Sequence, residues 1–176
     1  MGTIFHPLYD AIPIATFDVV VVAINYCVGS MGFLYDGTEE ATGNVGLYDQ
    51  LLGLKWVRYI LNVSSNSTNL IKVQANIGNF GGNPNLLTIF DVCAGGMSVS
   101  FHVLSPLSKG LFKKAIIQSG TAYTDAIFMD KSEALNVSKR HAHEVGCSDE
   151  INWINYVLNN LMHQQYIITL MIFLIL

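Results

Sequence analysis

The stretch "LLTIFDVCAGGMSVS", residues 86–100, decides the fold of this 176-residue chain. Residues 86–90 form a short apolar run that predicts a buried strand, and residues 96–104 predict a helix. A sharp turn of small residues at Cys93 joins the two. Many enzymes present a nucleophile on such a strand–turn–helix unit. The alternative is that Cys93 is simply a small buried hydrophobic residue.

Further strands and helices alternate on both sides of this unit. Residues 17–26, "FDVVVVAINY", contain a continuous apolar β-branched run, which is typical of a strand buried on both faces of a parallel sheet. Residues 112–120 predict a third strand. Apolar residues at helical spacing predict helices over 47–60 and 131–147. The order predicts an α/β fold with a mostly parallel sheet flanked by helices.

The composition excludes several classes of protein. Charged residues make up only 12% of the chain and the net charge is −4, so there is no basic surface for nucleic acid. The three cysteines, Cys27, Cys93 and Cys147, lie far apart and show no metal-binding spacing. We therefore expect no metal and no cofactor.

The C-terminal end is unusually apolar. Residues 166–176, "YIITLMIFLIL", carry no charge, but a membrane-spanning helix needs about 20 apolar residues. The residues before them are polar, and a cleaved lipid-anchor signal lacks a clear small-residue site. We expect residues 157–176 to form an apolar tail without a membrane span. The first six residues show no signal peptide.

Three Asn-X-Ser/Thr sequons are present, and they are candidate glycosylation sites at Asn62, Asn66 and Asn136. Because N-glycans are added in the secretory pathway, these triplets favour an extracellular protein.

Several long stretches together resemble the carboxylesterase type B/cholinesterase family of α/β hydrolases. They are "DVVVVAINYCVGSMGFLYDGTEEATGNVGLYDQLLGLKWVR", "NFGGNPNLLTIF", "AGGMSVSFHVLSPLSKGLF" and "AIIQSG". The resemblance covers most of residues 7–120 and implies a partial α/β-hydrolase fold, a small carboxylic ester as substrate and a secreted or extracellular location. It divides the chain into a hydrolase domain, residues 1–156, with an insertion at 59–75, and the apolar tail.

The resemblance also assigns the turn at Cys93. The family motif Gly-Glu-Ser-Ala-Gly corresponds here to Asp91, Val92, Cys93, Ala94 and Gly95. Cys93 therefore occupies the position of the nucleophilic serine, and the backbone N–H of Ala94 that of an oxyanion-hole donor. Asp91 replaces a glycine, so we expect a carboxylate at a crowded strand end. Burying that charge costs several kcal/mol unless it is protonated.

The rest of the family's catalytic machinery is not expected in this sequence. In the family, the acid and histidine of the triad lie well downstream, and a His-Gly-Gly-Gly segment completes the oxyanion hole. None of the histidines after the turn is expected to be the general base: His102, His141, His143 or His163. The sequence thus predicts an ester hydrolase that is inactive or strongly impaired. The alternatives are a thiol esterase completed by another polypeptide and a non-catalytic cholinesterase-like surface or adhesion protein.

The resemblance finally predicts a gap in the sheet. Family topology places a central strand between the strands at residues 17–26 and 86–90, and we expect that strand to be missing. Their edges would then be open, and the chain prone to aggregation.

The resemblance also bears on two cysteines. Cys27 replaces a usual arginine, and Cys147 matches a disulfide position without a partner cysteine nearby.

Overall fold

The computed structural model describes residues 10–59, 81–124, 127–147, 152–161 and 167–175. The sequons at Asn62 and Asn66 and all but the first residue of the predicted insertion lie outside these ranges, as does His163.

The sheet has four described strands: β1 (Val19–Cys27), β2 (Leu87–Val92), β3 (Lys114–Gln118) and β4 (Ile167–Ile175). They lie in the order β1-β4-β2-β3. β2 pairs with β3 in parallel, whereas β4 runs antiparallel to both of its neighbours. Three strands therefore share one direction, and the predicted α/β fold with a mostly parallel sheet is confirmed.

The described helices are α1 (Ile12–Ala15), α2 (Gly29–Phe33), α3 (Val45–Tyr59), α4 (Ala94–Leu104), α5 (Lys131–Glu144) and α6 (Trp153–Leu161). Two 3₁₀ turns, Pro84–Leu86 and Pro106–Ser108, each begin with proline, whose fixed φ suits the first helical position. Within these ranges, no helix is both long enough and apolar enough to cross a membrane.

One hydrophobic core joins the sheet to α3 and α4. Its buried residues are Tyr26, Leu54, Val57, Leu87, Ile89 and Val99. In β2, consecutive residues Leu87, Thr88 and Ile89 are all buried, so both faces of this strand are covered. β1 is mostly half-buried rather than buried as predicted, because it lies at one edge of the described sheet.

A second core lies between α5, α6 and the loop that follows α2. It contains Leu34, Ala41, Ala142, Cys147, Trp153, Ile154 and Val157. The Cys147 side chain is thus buried in an apolar environment. α6 continues across residue 157, and the division of the chain at that residue stays a prediction.

β4 fills the position between β1 and β2. It forms nine residue pairs with β1, from Val19↔Ile175 to Cys27↔Ile167, and four with β2. The expectation that the facing edges of β1 and β2 are open is therefore wrong. Part of the apolar C-terminal segment supplies backbone donors and acceptors to both strands, which is the requirement that a buried sheet edge imposes.

Candidate active site

The turn at Cys93 has a strained backbone. Cys93 adopts φ 58° and ψ −122° between the end of β2 and the start of α4. A positive φ is rare for residues other than glycine and costs roughly 1–3 kcal/mol. Two backbone hydrogen bonds hold it: the Cys93 N–H donates to the Gln118 carbonyl at 2.9 Å, and its carbonyl accepts from the Met97 N–H at 3.0 Å. The strain is thus maintained by β3 and α4.

Glycines allow the backbone segments to approach closely at this turn. A Cβ on Gly96 would lie 2.5 Å from the Gln118 carbonyl oxygen, and one on Gly120 would lie 2.5 Å from that of Cys93. A Cβ on Gly95 would collide with the carboxyl group of Asp91. Small residues are therefore required here so that α4 can pack against β2 and β3.

The turn presents its side chain to solvent. Cys93 is exposed, which contradicts the alternative that it is a buried hydrophobic residue. Its thiol makes no hydrogen bond to any of the described residues. Ala94 is the first residue of α4, where N–H groups lack intrahelical acceptors. An exposed thiol beside such donors is a suitable arrangement for attack on a carbonyl group.

Asp91 is buried beneath this turn. Its Oδ1 accepts a hydrogen bond from the Val92 N–H at 2.7 Å, whereas Oδ2 has no partner among the described residues. Burial raises the pKa of this carboxyl group from 3.8 to about 6, although the Val92 hydrogen bond opposes the increase. The expected cost of a carboxyl group at the glycine position is therefore visible as an unsatisfied buried oxygen.

His102 belongs to a buried polar network. Its Nδ1 lies 2.8 Å from Ser108 Oγ, and its Nε2 lies 3.0 Å from Gln50 Oε1. Gln50 Nε2 donates to Ser98 Oγ at 3.3 Å, and Ser98 Oγ donates to the Ala94 carbonyl at 3.1 Å. Burial lowers the pKa of His102 from 6.5 to about 4. Both ring nitrogens are occupied, so His102 links α3 to α4.

Sequence reasoning missed this network. Gln50 and His102 are 52 residues apart, and no local motif connects them. The other described histidines lie on α5. His143 is exposed, and His141 has a buried Nε2 without a partner among the described residues. No group of three or more potential metal ligands occurs in the described ranges.

The described cavity nearest to His102 does not reach the turn. It has a volume of about 150 Å³ and lies between α3 and the C-terminal half of α4. Its lining includes Leu51, Phe101, His102 and Ser108, but neither Cys93 nor Ala94. The exposed thiol therefore lies outside this cavity.

Comparisons with known proteins show the family of this chain. The model of the carboxylesterase family matches residues 4–65 and 68–169. The match continues well past residue 120, where the resemblance noted from the sequence ended, and it also includes most of residues 59–75.

The chain is similar to several curated enzymes. It is 42% identical to Cholinesterase 1 of Branchiostoma lanceolatum over 84% of this chain and 37% of that protein. Identity is 46% with the acylcarnitine hydrolase of Rattus norvegicus, over 69% of this chain and 19% of that protein. Identity is 45% with pyrethroid hydrolase Ces2a of Mus musculus, over 76% of this chain and 21% of that protein.

The chain thus spans between about a fifth and just over a third of the length of these relatives. The matched residues include β2, the Cys93 turn and α4, which are the elements that build the site. This chain belongs to the carboxylesterase family and has a partial α/β-hydrolase fold.

Proposed function

We propose that the 176-residue chain is an ester-hydrolase domain with a thiol at the nucleophile position, and that it hydrolyses carboxylic esters poorly or not at all. The observation that supports this proposal is the environment of Cys93. Its side chain is exposed on a strained turn but contacts no base among the described residues, and His102 is occupied by Gln50 and Ser108.

The chemistry shows what such a site lacks. In acyl transfer, Cys93 Sγ would bond to the ester carbonyl carbon, the ester C–O bond would break, and the alcohol would leave with the thiol proton. Water would then cleave the thioester, releasing the acid and restoring the thiol. Efficient attack requires a base that removes the thiol proton, because the thiolate is the nucleophile. The Ala94 N–H would stabilise the oxyanion, and one such donor contributes about 10²–10³ in rate. Because no base removes the thiol proton, this oxyanion-hole donor alone would leave turnover slow.

Hydrolysis of an aryl ester by the purified chain tests the proposal directly. The expected rate does not exceed that of free cysteine at the same concentration. Cys93→Ala is the matched control, since it removes only the thiol. A saturable activity that disappears in Cys93→Ala would show that the chain is an active thiol esterase and would contradict the proposed impairment.

Replacing the thiol with the family's hydroxyl provides a second test. Cys93→Ser is expected to stay inactive, because a serine hydroxyl needs a base even more than a thiol does. A fluorophosphonate probe reports an activated serine by covalent labelling. Stoichiometric labelling of Cys93→Ser, with none of Cys93→Ala, would show that a functional base is present.

For any activity that remains, we propose a small-molecule carboxylic ester as substrate. The names of the relatives refer to cholinesterase, acylcarnitine hydrolase and pyrethroid hydrolase activities. We also propose an extracellular location, which the family resemblance and the three sequons support. Detection of the chain with antibody in the medium of the producing cells tests the location; retention in the cytosol would contradict it.

A further inference from the structure

The described sequon lies on α5, and its two functional side chains face different environments. Asn136 is exposed, whereas Ser138 is only 5% exposed. Ser138 Oγ accepts a hydrogen bond at 3.0 Å from the backbone N–H of Tyr35, which lies 103 residues earlier in the chain. The sequon hydroxyl is therefore also part of the tertiary structure.

Helix geometry separates the two groups further. Residues i and i+2 of an α-helix are about 200° apart around its axis, so Asn136 and Ser138 point away from each other. The glycosylation triplet requires both the asparagine amide and the hydroxyl residue two positions later. An enzyme that must contact both groups cannot do so while α5 is helical and packed.

We propose that Asn136 is an N-glycan attachment site that is modified before α5 packs against the Tyr35 loop, and not afterwards. In this step Asn136 Nδ2 forms a bond to C1 of the sugar. The bond between C1 and the diphosphate of a lipid-linked oligosaccharide breaks, and the amide loses one proton. The inference rests on the proposed extracellular location, since this donor is found in the secretory pathway.

The folded structure leaves room for the product. The helical neighbours of Asn136 at positions i±3 and i±4 are all exposed: Ser132, Glu133, Lys139 and Arg140. A glycan on Asn136 would thus extend from a polar face of α5, opposite the buried Ser138 and Ala142. Modification before folding is therefore compatible with the packed helix.

The test uses the purified full chain with Asn62→Gln and Asn66→Gln, so that a single sequon remains. The chain is incubated with oligosaccharyltransferase and a lipid-linked oligosaccharide, added either at the start of refolding from urea or after refolding. Modification is measured as a mass shift of the α5 peptide. In the late sample it is scored on molecules that resist limited proteolysis. We expect the shift with early addition and its loss with late addition.

Matched substitutions separate the glycan from the hydrogen bond. Asn136→Gln should lose the shift and keep the Ser138 acceptor, Ser138→Ala should lose both, and Ser138→Thr should retain the early shift. Equal modification of early and late samples would overturn the proposed order, and no early shift in the parent would overturn the site. Neither result depends on where the chain is located or on ester hydrolysis, so failure here is distinct from failure of the proposed function.

Discussion

β2 has one neighbour on each side, and the two neighbours are joined to it in different ways. β3 follows β2 through α4, runs parallel to it and holds Cys93 through the Gln118 carbonyl. β4 comes from the C-terminal segment, runs antiparallel and shares only four residue pairs with β2. One border of β2 is built from contiguous sequence, and the other from a distant apolar segment.

The difference shows which requirements a sheet imposes on its sequence. The β3 side needs specific small residues, because backbone segments meet at the turn. The β4 side needs an extended segment that can supply N–H and C=O groups in both directions. The first requirement can be read from a sequence motif. The second is satisfied by the apolar composition and the length of the pairing segment. Substitutions on the β4 side and at the turn should therefore have separable effects.

A disulfide can test the position of β4. Cys27 lies opposite Ile167, and its N–H donates to Asp49 rather than to β4, so the two residues form a non-hydrogen-bonded pair. Such pairs have a Cα separation of about 4.5 Å, within the range of disulfides. Ile167→Cys should therefore bond to Cys27 within one chain. Closing so long a loop stabilises the fold by up to about 5 kcal/mol.

The measurement is a peptide map of the oxidised chain, together with urea unfolding with and without reductant. Ile168→Cys is the control, because neighbouring strand residues face opposite sides of the sheet. A bond between Cys27 and Ile168→Cys would mean that the register is shifted by one residue. A bond only between two chains would mean that β4 does not pair within its own chain.

Proline should break the same side of the sheet. Met171 pairs with both Ala23 and Phe90, so its N–H faces a neighbouring strand whichever way it points. Met171→Pro removes this donor and should reduce the free energy of unfolding by about 2–3 kcal/mol. Ile175→Pro lies at the end of the pairing with β1 and should reduce the free energy of unfolding by less than Met171→Pro does. Equal urea midpoints for the two variants would contradict a central position for β4.

On the turn side, Gly95 and Asp91 should be coupled. Gly95→Ala places a methyl group against the Asp91 carboxyl and should destabilise the fold by about 1–3 kcal/mol. In an Asp91→Gly background, Gly95→Ala should destabilise the fold much less, because the Asp91 carboxyl group is absent. Urea unfolding of the four chains gives the coupling free energy. An equal cost in both backgrounds would show that the Asp91 carboxyl does not pack on Gly95.

The smallest effect concerns pH. Because the pKa of Asp91 is raised to about 6, its contribution to stability falls as pH rises from about 4 to 6. The pKa of His102 is lowered to about 4, so its contribution falls as pH drops from 6.5 to about 4. The two slopes oppose each other, and Asp91→Asn should remove the Asp91 slope while leaving the His102 slope in place. As pH falls, the free energy of unfolding of Asp91→Asn should decrease by about 1–2 kcal/mol more than that of the parent chain. Unfolding titrations at several pH values measure this difference. An unchanged pH profile in Asp91→Asn would contradict a buried, weakly acidic carboxyl group.

The sequence predicted the β3 side of β2, with the turn at Cys93, well. The apolar run at β2, the small residues after Cys93 and the following helix act over short distances, so their pattern alone specifies the unit. It also indicated that Asp91 would be costly. The position of β4 could not be predicted, because apolar content shows that a segment needs a partner and not which partner it has. The His102 network was missed because its bond to Gln50 closes between helices that only tertiary packing brings together.

The pairing of β1 with β4 also has a consequence for synthesis of the protein on the ribosome. Each β1 residue meets its partner 140 to 156 residues later in the chain. At a translation rate of roughly 5–20 residues per second, β1 waits about 7–30 s before its partner strand exists. During that interval the "VVVVAI" segment has an unpaired edge outside the exit tunnel. Chaperones that bind extended apolar segments therefore have a defined target and a defined time in which to act on the nascent chain.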